Sequence, residues 1–255
     1  MDNGLQGKSA IVTGSGGGLG AAIAETLLSE GCNVVISDVR YSDELLSHID
    51  ELNNVYEARA IFVQADVSKE KQVEELFQAG LDAFGSIDFV VNNAGIWPTA
   101  YVREMTTESF RTTLDINLIG PFMLCRRMVN YCLDNGRKGK IVNMVSQAAF
   151  HGSTSGHAHY AASKAGLVGF TISLAREVAP YGIHVNAVAP GIMETPMIAK
   201  KLEDPVGRQQ YLERIPLRRV ATPKDVADIA VFLLSKQSDY MTGATLDASG
   251  GMLMR

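Results

Sequence analysis

The chain has 255 residues, of which 46% are hydrophobic, so it is long enough for one or two domains and for a substantial buried core. Its net charge is −5 and its basic residues are scattered, which argues against nucleic acid and anionic membranes as partners. No apolar run approaches the roughly 20 residues of a membrane-spanning helix, and no secretory signal is visible. The three cysteines lie in apolar segments, which favours buried free thiols and a cytoplasmic protein.

The first predicted strand, residues 8–13, runs directly into a glycine-rich turn and then into a helix that ends at Gly31. Gly14, Gly18 and Gly20 give the spacing G-x-x-x-G-x-G. Glycines allow a tight turn and a close approach to a pyrophosphate, whose charge the helix N-terminus favours. The alternative is a flexible loop, but the flanking strand and helix favour a dinucleotide-binding turn.

The second predicted strand, residues 33–38, ends at Asp38, which follows Gly20 by 18 residues. A carboxylate at this place accepts hydrogen bonds from the ribose hydroxyls of an adenosine and repels a 2′-phosphate, so it favours NAD over NADP. Arg40 is a complication, because an arginine nearby can hold a 2′-phosphate. We give Asp38 more weight, since it lies at the strand end.

The rest of the chain alternates between strands and helices. Further strands are predicted at residues 60–67, 87–95, 140–146, 182–191 and 244–251. Helices are predicted at about 41–58, after an N-cap at Ser68, at about 107–135, from Tyr160 to about 179, and from Pro223 to Leu234. Residues 147–159 are predicted to be a loop, residues 192–219 a mobile lid, and Asn117 an interruption of its helix. This alternation predicts one doubly wound α/β domain over residues 1–255.

Ligands of such sheets bind at the carboxyl ends of the strands. The glycine turn, Asp38, residues 92–95, Ser146 and residues 190–191 all follow predicted strand ends. We therefore expect them to converge on one edge of the sheet.

Tyr160 and Lys164 are four residues apart and so share one helix face. A nearby ammonium lowers the pKa of a phenol, which then exchanges a proton with an alcohol near neutral pH. Ser146 is placed to bind the same substrate oxygen. The pair alone occurs often by chance, and the alternative is an ordinary tyrosine with a solvated lysine.

Taken together, the motifs resemble the short-chain dehydrogenase/reductase family. The residues that carry the resemblance are Thr13, Gly14, Gly18, Gly20, Asp66, Asn92, Asn93, Ala94, Gly95, Asn117, Ser146, Tyr160, Lys164, Asn186, Pro190, Gly191 and Thr195. The resemblance implies a three-layer Rossmann fold with a seven-stranded parallel sheet, usually in a homotetramer. It also implies reversible hydride transfer between a nicotinamide and a secondary alcohol or ketone.

By the same resemblance, Tyr160 is the general acid/base, Lys164 lowers its pKa and holds the nicotinamide ribose, and Ser146 orients the substrate oxygen. Asn117 is similar to the residue that helps to hold a proton-relay water near Lys164. The implied cofactor site comprises Gly14, Ser15, Gly18, Leu19, Gly20, Asp38, Val39, Asp66, Val67, Asn93, Ala94, Gly95, Tyr160, Lys164, Pro190, Gly191, Ile192 and Thr195. No metal is expected. Where the family often has two serines the chain has Val145 and Ser146, and the loop before Tyr160 is one residue longer than the commonest spacing.

The substrate is less well determined than the chemistry. Substrate contacts are expected from Ser146, Trp97, Gln147, His157, Tyr160 and Met193, with Phe150, His151 and Met197 as further candidates. This mixture favours a sugar, a polyol or a hydroxy acid, although an apolar alcohol remains open. The alternatives are an NADPH-dependent 3-oxoacyl acyl-carrier-protein reductase and, from another class, a non-catalytic nucleotide-binding scaffold.

Overall fold

Seven parallel strands form one sheet in this computed structural model, which describes residues 3–195 and 204–254. The strands are β1 Ser9–Thr13, β2 Asn33–Asp38, β3 Ala60–Gln64, β4 Phe89–Asn92, β5 Gly139–Met144, β6 Ile183–Pro190 and β7 Thr245–Ala248. Their order is β3-β2-β1-β4-β5-β6-β7. The chain thus builds outward from β1 on one side and then returns to the other side with β4. This arrangement confirms the predicted seven-stranded, doubly wound fold.

The connections between the strands are mostly helical. The helices are α1 Gly18–Ser29, α2 Asp43–Val55, α3 Glu70–Phe84, α4 Thr107–Leu114, α5 Gly120–Asp134, α6 Ala148–His151, α7 Ala158–Val178, α8 Pro205–Arg214 and α9 Pro223–Leu234. A π-helical segment, Asp115–Ile119, joins α4 to α5, and 3₁₀ turns cover Ala179–Tyr181 and Lys236–Ser238. The predicted interruption at Asn117 therefore takes the form of a π-helical turn.

Two apolar cores lie on opposite faces of the sheet. Along β2, Val34 and Ile36 pack into the core that includes α1 and α9, whereas Val35 packs into the core that includes α3, α5 and α7. This alternation follows from the two-residue period of a strand. The result is the three-layer arrangement that the sequence predicted.

The third strand ends earlier than predicted. β3 stops at Gln64, before Asp66 and Val67, and α3 follows Lys69 rather than an N-cap at Ser68. The reason is local, because the Ser68 hydroxyl donates to Asp66 Oδ1 at 2.7 Å and closes a turn instead of capping the helix.

The predicted loop at residues 147–159 contains the short helix α6. Ser146 starts it, since its Oγ accepts from the Ala148 amide at 3.1 Å, and Gly152 ends it at a φ of +80°. α7 begins at Ala158, so Tyr160 lies within the first turn rather than at the start. Residues 196–203 of the predicted lid, including Met197, lie outside the described residues.

The three cysteines, Cys32, Cys125 and Cys132, are buried free thiols, as predicted. Burial raises the pKa of Cys125 to about 12, so its thiol stays protonated at neutral pH. Of the helices in the described ranges, none combines the length and apolarity needed to cross a bilayer.

Candidate active site

The carboxyl ends of the strands open into one cavity of about 1150 Å³. It brings together most of the residues predicted for the site, as we expected because those residues follow the ends of parallel strands. Those that line it are Gly14, Gly18, Leu19, Asp38, Val39, Asp66, Val67, Asn93, Ala94, Gly95, Trp97, Ser146, Gln147, Tyr160, Lys164, Pro190, Gly191, Ile192, Met193 and Thr195. Four predicted residues lie behind the wall: Ser15, Gly20, Asn117 and His157.

The glycine turn has the shape that a pyrophosphate requires. Gly14 has a φ of +62°, and a Cβ on it would lie 2.7 Å from Ala94 Cα. The N-terminus of α1 has no side-chain cap and no acidic residue in its first turn, so its amides remain available to an anion. The residues therefore fit a dinucleotide.

Ser15 and Gly20 support this turn instead of lining the cavity. The Ser15 hydroxyl donates to the Val12 carbonyl at 2.6 Å. A Cβ on Gly20 would lie 2.6 Å from Asn93 Nδ2, so only glycine allows α1 to pack this closely. Direct cofactor contacts of these two residues stay predictions.

Asp38 ends β2 at the cavity and is largely buried. Its Oδ2 accepts from the Gly16 amide at 3.2 Å, and its Oδ1 accepts from Arg40 Nε at 3.3 Å. The exposed guanidinium of Arg40 is thus paired with Asp38. This end of the cavity therefore presents the Asp38 carboxylate, and the Arg40 guanidinium there is already paired with it.

Asn93 and Thr13 join the exit of β4 to β1. The Thr13 hydroxyl accepts from the amides of Asn93 and Ala94, each at 3.1 Å. In return, Asn93 Nδ2 donates to the Thr13 and Gly14 carbonyls at 3.0 and 2.9 Å. The side-chain nitrogen of Asn93 is therefore used within the protein.

Asn117 is fully buried in the π-helical segment. Its Oδ1 accepts from the Ile96 amide at 2.9 Å, and its Nδ2 donates to the Ile96 carbonyl at 3.0 Å and to Ser163 Oγ at 3.1 Å. Both ends of the amide thus hold the backbone that passes Lys164. The structure makes Asn117 a residue that positions the cavity wall.

Tyr160, Lys164 and Ser146 lie together on the wall of the cavity. Lys164 is buried, its Nζ donates to the Met144 carbonyl at 2.7 Å, and burial lowers its pKa to about 8. Burial raises the pKa of Tyr160, and a hydrogen bond with Ser146 offsets this only in part. This burial opposes the lowering of the Tyr160 pKa that we predicted from Lys164, because desolvation disfavours the charged phenolate.

Trp97 is partly buried and forms one wall of the cavity beside Tyr160. The ring of His157 stacks on it at 4.1 Å and 17°, and His157 Nδ1 lies 2.8 Å from the Pro98 carbonyl oxygen. His157 is 2% exposed and lies behind Trp97. Neither His157 nor Phe150, which packs against an apolar core cluster, lines the cavity, so their substrate contacts stay predictions.

Tyr211 and Arg214 also line the cavity, and neither was predicted as a site residue. They are three residues apart on α8 and so share one face of the helix. This spacing could have indicated from the sequence that the two side chains lie together. Gln147 and His151, which were candidates, line the same region. Within residues 3–195 and 204–254, no three His, Cys, Asp or Glu side chains are placed to hold a metal ion.

Comparison with known proteins gives matches over nearly the whole chain. The family model described as enoyl-(acyl carrier protein) reductase matches residues 14–253. The 3β-hydroxysteroid dehydrogenase 1 of Eggerthella lenta is 42% identical over 100% of this chain and 97% of its own length. The 3-oxoacyl acyl-carrier-protein reductase FabG of Aquifex aeolicus is 38% identical over 99% of this chain and 100% of its own.

A solved structure from Agrobacterium tumefaciens is also similar. It is described as a "putative 2-deoxy-d-gluconate 3-dehydrogenase" with bound NADP, and it superposes with a TM-score of 0.89 at 36% identity. The alignment covers 98% of each chain.

The buried ammonium of Lys164 predicts a pH-dependent stability. Its pKa is about 8 in the folded chain and about 10.5 when unfolded, so between these pH values only the unfolded state holds the proton. The free energy of unfolding of the wild type should therefore rise relative to that of Lys164→Met by up to about 1.4 kcal/mol per pH unit across this window. Denaturant unfolding of both cofactor-free proteins from pH 7 to pH 10.5 measures the difference. A difference that is independent of pH contradicts the buried-ammonium interpretation.

Proposed function

The chain belongs to the short-chain dehydrogenase/reductase family of oxidoreductases, and we propose that it is an NAD(H)-dependent dehydrogenase. Its proposed reaction is the reversible oxidation of a secondary alcohol to a ketone in a sugar, a polyol or a hydroxy acid. The observation that carries this proposal is one cavity that holds both the glycine turn with Asp38 and the group of Ser146, Tyr160 and Lys164. A scaffold that only binds nucleotide has no use for that second group.

The bound nicotinamide supplies the hydride acceptor or donor. In the direction of reduction, the Tyr160 phenol, which burial keeps protonated, gives its proton to the substrate oxygen. Ser146, which is hydrogen-bonded to this phenol, orients the same oxygen. The buried Lys164 ammonium stabilises the negative charge that develops on the phenol and is also assigned to the nicotinamide ribose.

Asn117 contributes to this arrangement by position. Gly95 lies close to both side chains: a Cβ placed on it would be 3.3 Å from Asn117 Oδ1 and 3.5 Å from Lys164 Nζ. Asn117 therefore fixes the wall beside the ammonium, and we assign it the support of the proton relay there. The segment at 192–219 is proposed as a lid, because its described parts contribute residues such as Met193 and Tyr211 to the cavity.

The preference for NAD(H) rests on Asp38. Its buried carboxylate suits two ribose hydroxyls and opposes a 2′-phosphate, while Arg40 is already paired with it. The second candidate is an NADPH-dependent 3-oxoacyl reductase, which is favoured by the similar FabG protein and by the NADP bound in the similar structure. The preferred cofactor, NAD(H) or NADP(H), therefore distinguishes the dehydrogenase from the 3-oxoacyl reductase.

We expect NADH to bind at least tenfold more tightly than NADPH, because a 2′-phosphate would have to approach the Asp38 carboxylate. In Asp38→Asn, which keeps the shape and removes the charge, this ratio should fall by tenfold or more. Asp43→Asn, which removes an exposed charge from the start of α2, is the matched control. Fluorescence titration with each reduced cofactor measures the dissociation constants. Tighter binding of NADPH by the wild type would place the 3-oxoacyl reductase first.

Replacement of Tyr160 by Phe should lower kcat by about 10²- to 10⁴-fold, because it removes the proton donor while retaining the ring. Cofactor affinity should change little. Tyr181→Phe, which alters an exposed tyrosine beyond α7, is the control. An oxidation screen of sugars, polyols and hydroxy acids supplies the substrate for the assay. Full turnover by Tyr160→Phe would show that the proposed proton transfer does not occur.

We also propose that the chain forms a homotetramer. Ile119, Phe122 and Leu133, on the π segment and α5, and Ile172, on α7, expose apolar side chains. Further copies of the chain would cover these side chains in an assembly. Light scattering at micromolar concentration should give a mass four times that of one chain. A mass equal to one chain would reject the proposal.

A cytoplasmic location is proposed on the cysteines alone. Cys32, Cys125 and Cys132 are all free and buried, which suits a reducing compartment.

A further inference from the structure

Four arginines lie between residues 204 and 219, and they differ in whether their side chains have hydrogen-bond partners within the protein. Three are bound to protein groups: Arg208 to Glu194 Oε1 at 3.2 Å, Arg218 to the Glu213 carbonyl at 3.2 Å, and Arg219 to both oxygens of Asp225 at 2.7 Å. The fourth, Arg214, lines the cavity. Within the described ranges it has neither a hydrogen bond nor an ion pair. Its five donors therefore remain available to a ligand.

The backbone that carries Arg214 is fixed. Ile215, the next residue, is 1% exposed and packs with Val220 in a small apolar cluster. The Leu217 amide donates to the Gly250 carbonyl at 3.1 Å, which joins the end of α8 to the chain after β7. The guanidinium thus extends from an anchored position.

Charge is divided between the two halves of the cavity. The lining acids are Asp38, at the end of β2, and Asp66, after β3. They lie on the side of the sheet that holds the glycine turn, and Asp38 is paired there with Arg40. On the side of β5 and β6, the polar lining includes Lys164, His151 and Arg214, and no acidic side chain of the described chain lines that half. Lys164 belongs to the group with Tyr160 and Ser146, so Arg214 is the cation of the described lining that this group leaves available to a substrate.

We propose that the substrate carries a carboxylate that Arg214 binds, with the imidazole of His151 as a second donor. A guanidinium binds a carboxylate through two parallel hydrogen bonds, and an uncharged polyol leaves this pairing unmade. The substrate is therefore a hydroxy acid, sugar acids included, whose secondary hydroxyl reaches Tyr160 and Ser146 at the same time. This inference rests on the proposed dehydrogenase function and selects one of its substrate classes.

Two matched pairs of compounds test the inference: D-gluconate against D-glucitol, and 3-hydroxybutyrate against 2-butanol. Each pair keeps a secondary hydroxyl and differs in the carboxylate. Calorimetric titration into the enzyme–NADH complex, in which an alcohol does not turn over, measures binding, and initial rates with NAD give kcat and KM. The proteins are the wild type, Arg214→Met, Arg214→Lys and the control Arg218→Met, which removes an equal charge outside the cavity.

At least one acid should bind the wild type more tightly than its uncharged counterpart. Arg214→Met should weaken binding of that acid, and raise its KM, by about tenfold to a hundredfold with little change in kcat. Arg214→Lys should restore part of the affinity, and Arg218→Met should behave as the wild type does. The affinities of the uncharged compounds should be the same in all four proteins.

The inference is overturned if neither acid binds more tightly than its counterpart, or if Arg214→Met binds the acids as the wild type does. Turnover of uncharged alcohols alone would likewise reject the carboxylate while leaving the dehydrogenase function intact. Arg214-dependent binding of the acids without turnover of any alcohol would support the anion site and reject the proposed function. The two failures are therefore distinguishable.

Discussion

The exit of β4 lies at the centre of the sheet, and the backbone there passes very close to its neighbours on both sides. Ala94 approaches Gly14 so closely that a Cβ would not fit, and Gly95 lies against Asn117 and Lys164. Asn93 holds one end of this passage to β1, and Asn117 holds the other end through Ile96. The hydrogen bonds of two asparagines thus set the distance between the cofactor half of the cavity and the half that contains the proton donor.

Where local patterns determine the structure, the sequence was sufficient. β2 has the predicted bounds, Asn33–Asp38, because its apolar run is continuous and ends in a polar turn. α9 begins at Pro223, as predicted, because Thr222 and Asp225 form a capping box before it. β3 ended early because side-chain hydrogen bonds around Asp66, which apolar periodicity does not reveal, formed a turn.

The two halves of the site differed in how far they could be predicted. The cofactor half lies on strand ends, whose positions the sheet fixes, so Asp38 and the glycine turn could be placed from spacing alone. The other half depends on connecting segments, whose packing spacing does not reveal. His157 is near Tyr160 in sequence but stacks behind Trp97. Arg214 lines the cavity from the end of α8, next to the buried Ile215. The pKa of Tyr160 likewise depends on burial, which a motif does not contain.

The π-helical turn between α4 and α5 restricts how this chain can change in length. Asp115–Ile119 makes a wider turn than an α-helix does, and Asn117 is directed at Ile96 from within it. Deletion of one residue here would remove the extra residue that the wide turn absorbs and restore a regular helix, with α4 and α5 still in register. The apolar face of α5 would then stay in the core, and Asn117 would lose the wide turn that directs it at Ile96. The length of this turn is therefore set by the hydrogen bonds of Asn117 with Ile96, and a one-residue deletion that the core tolerates would still disturb the site.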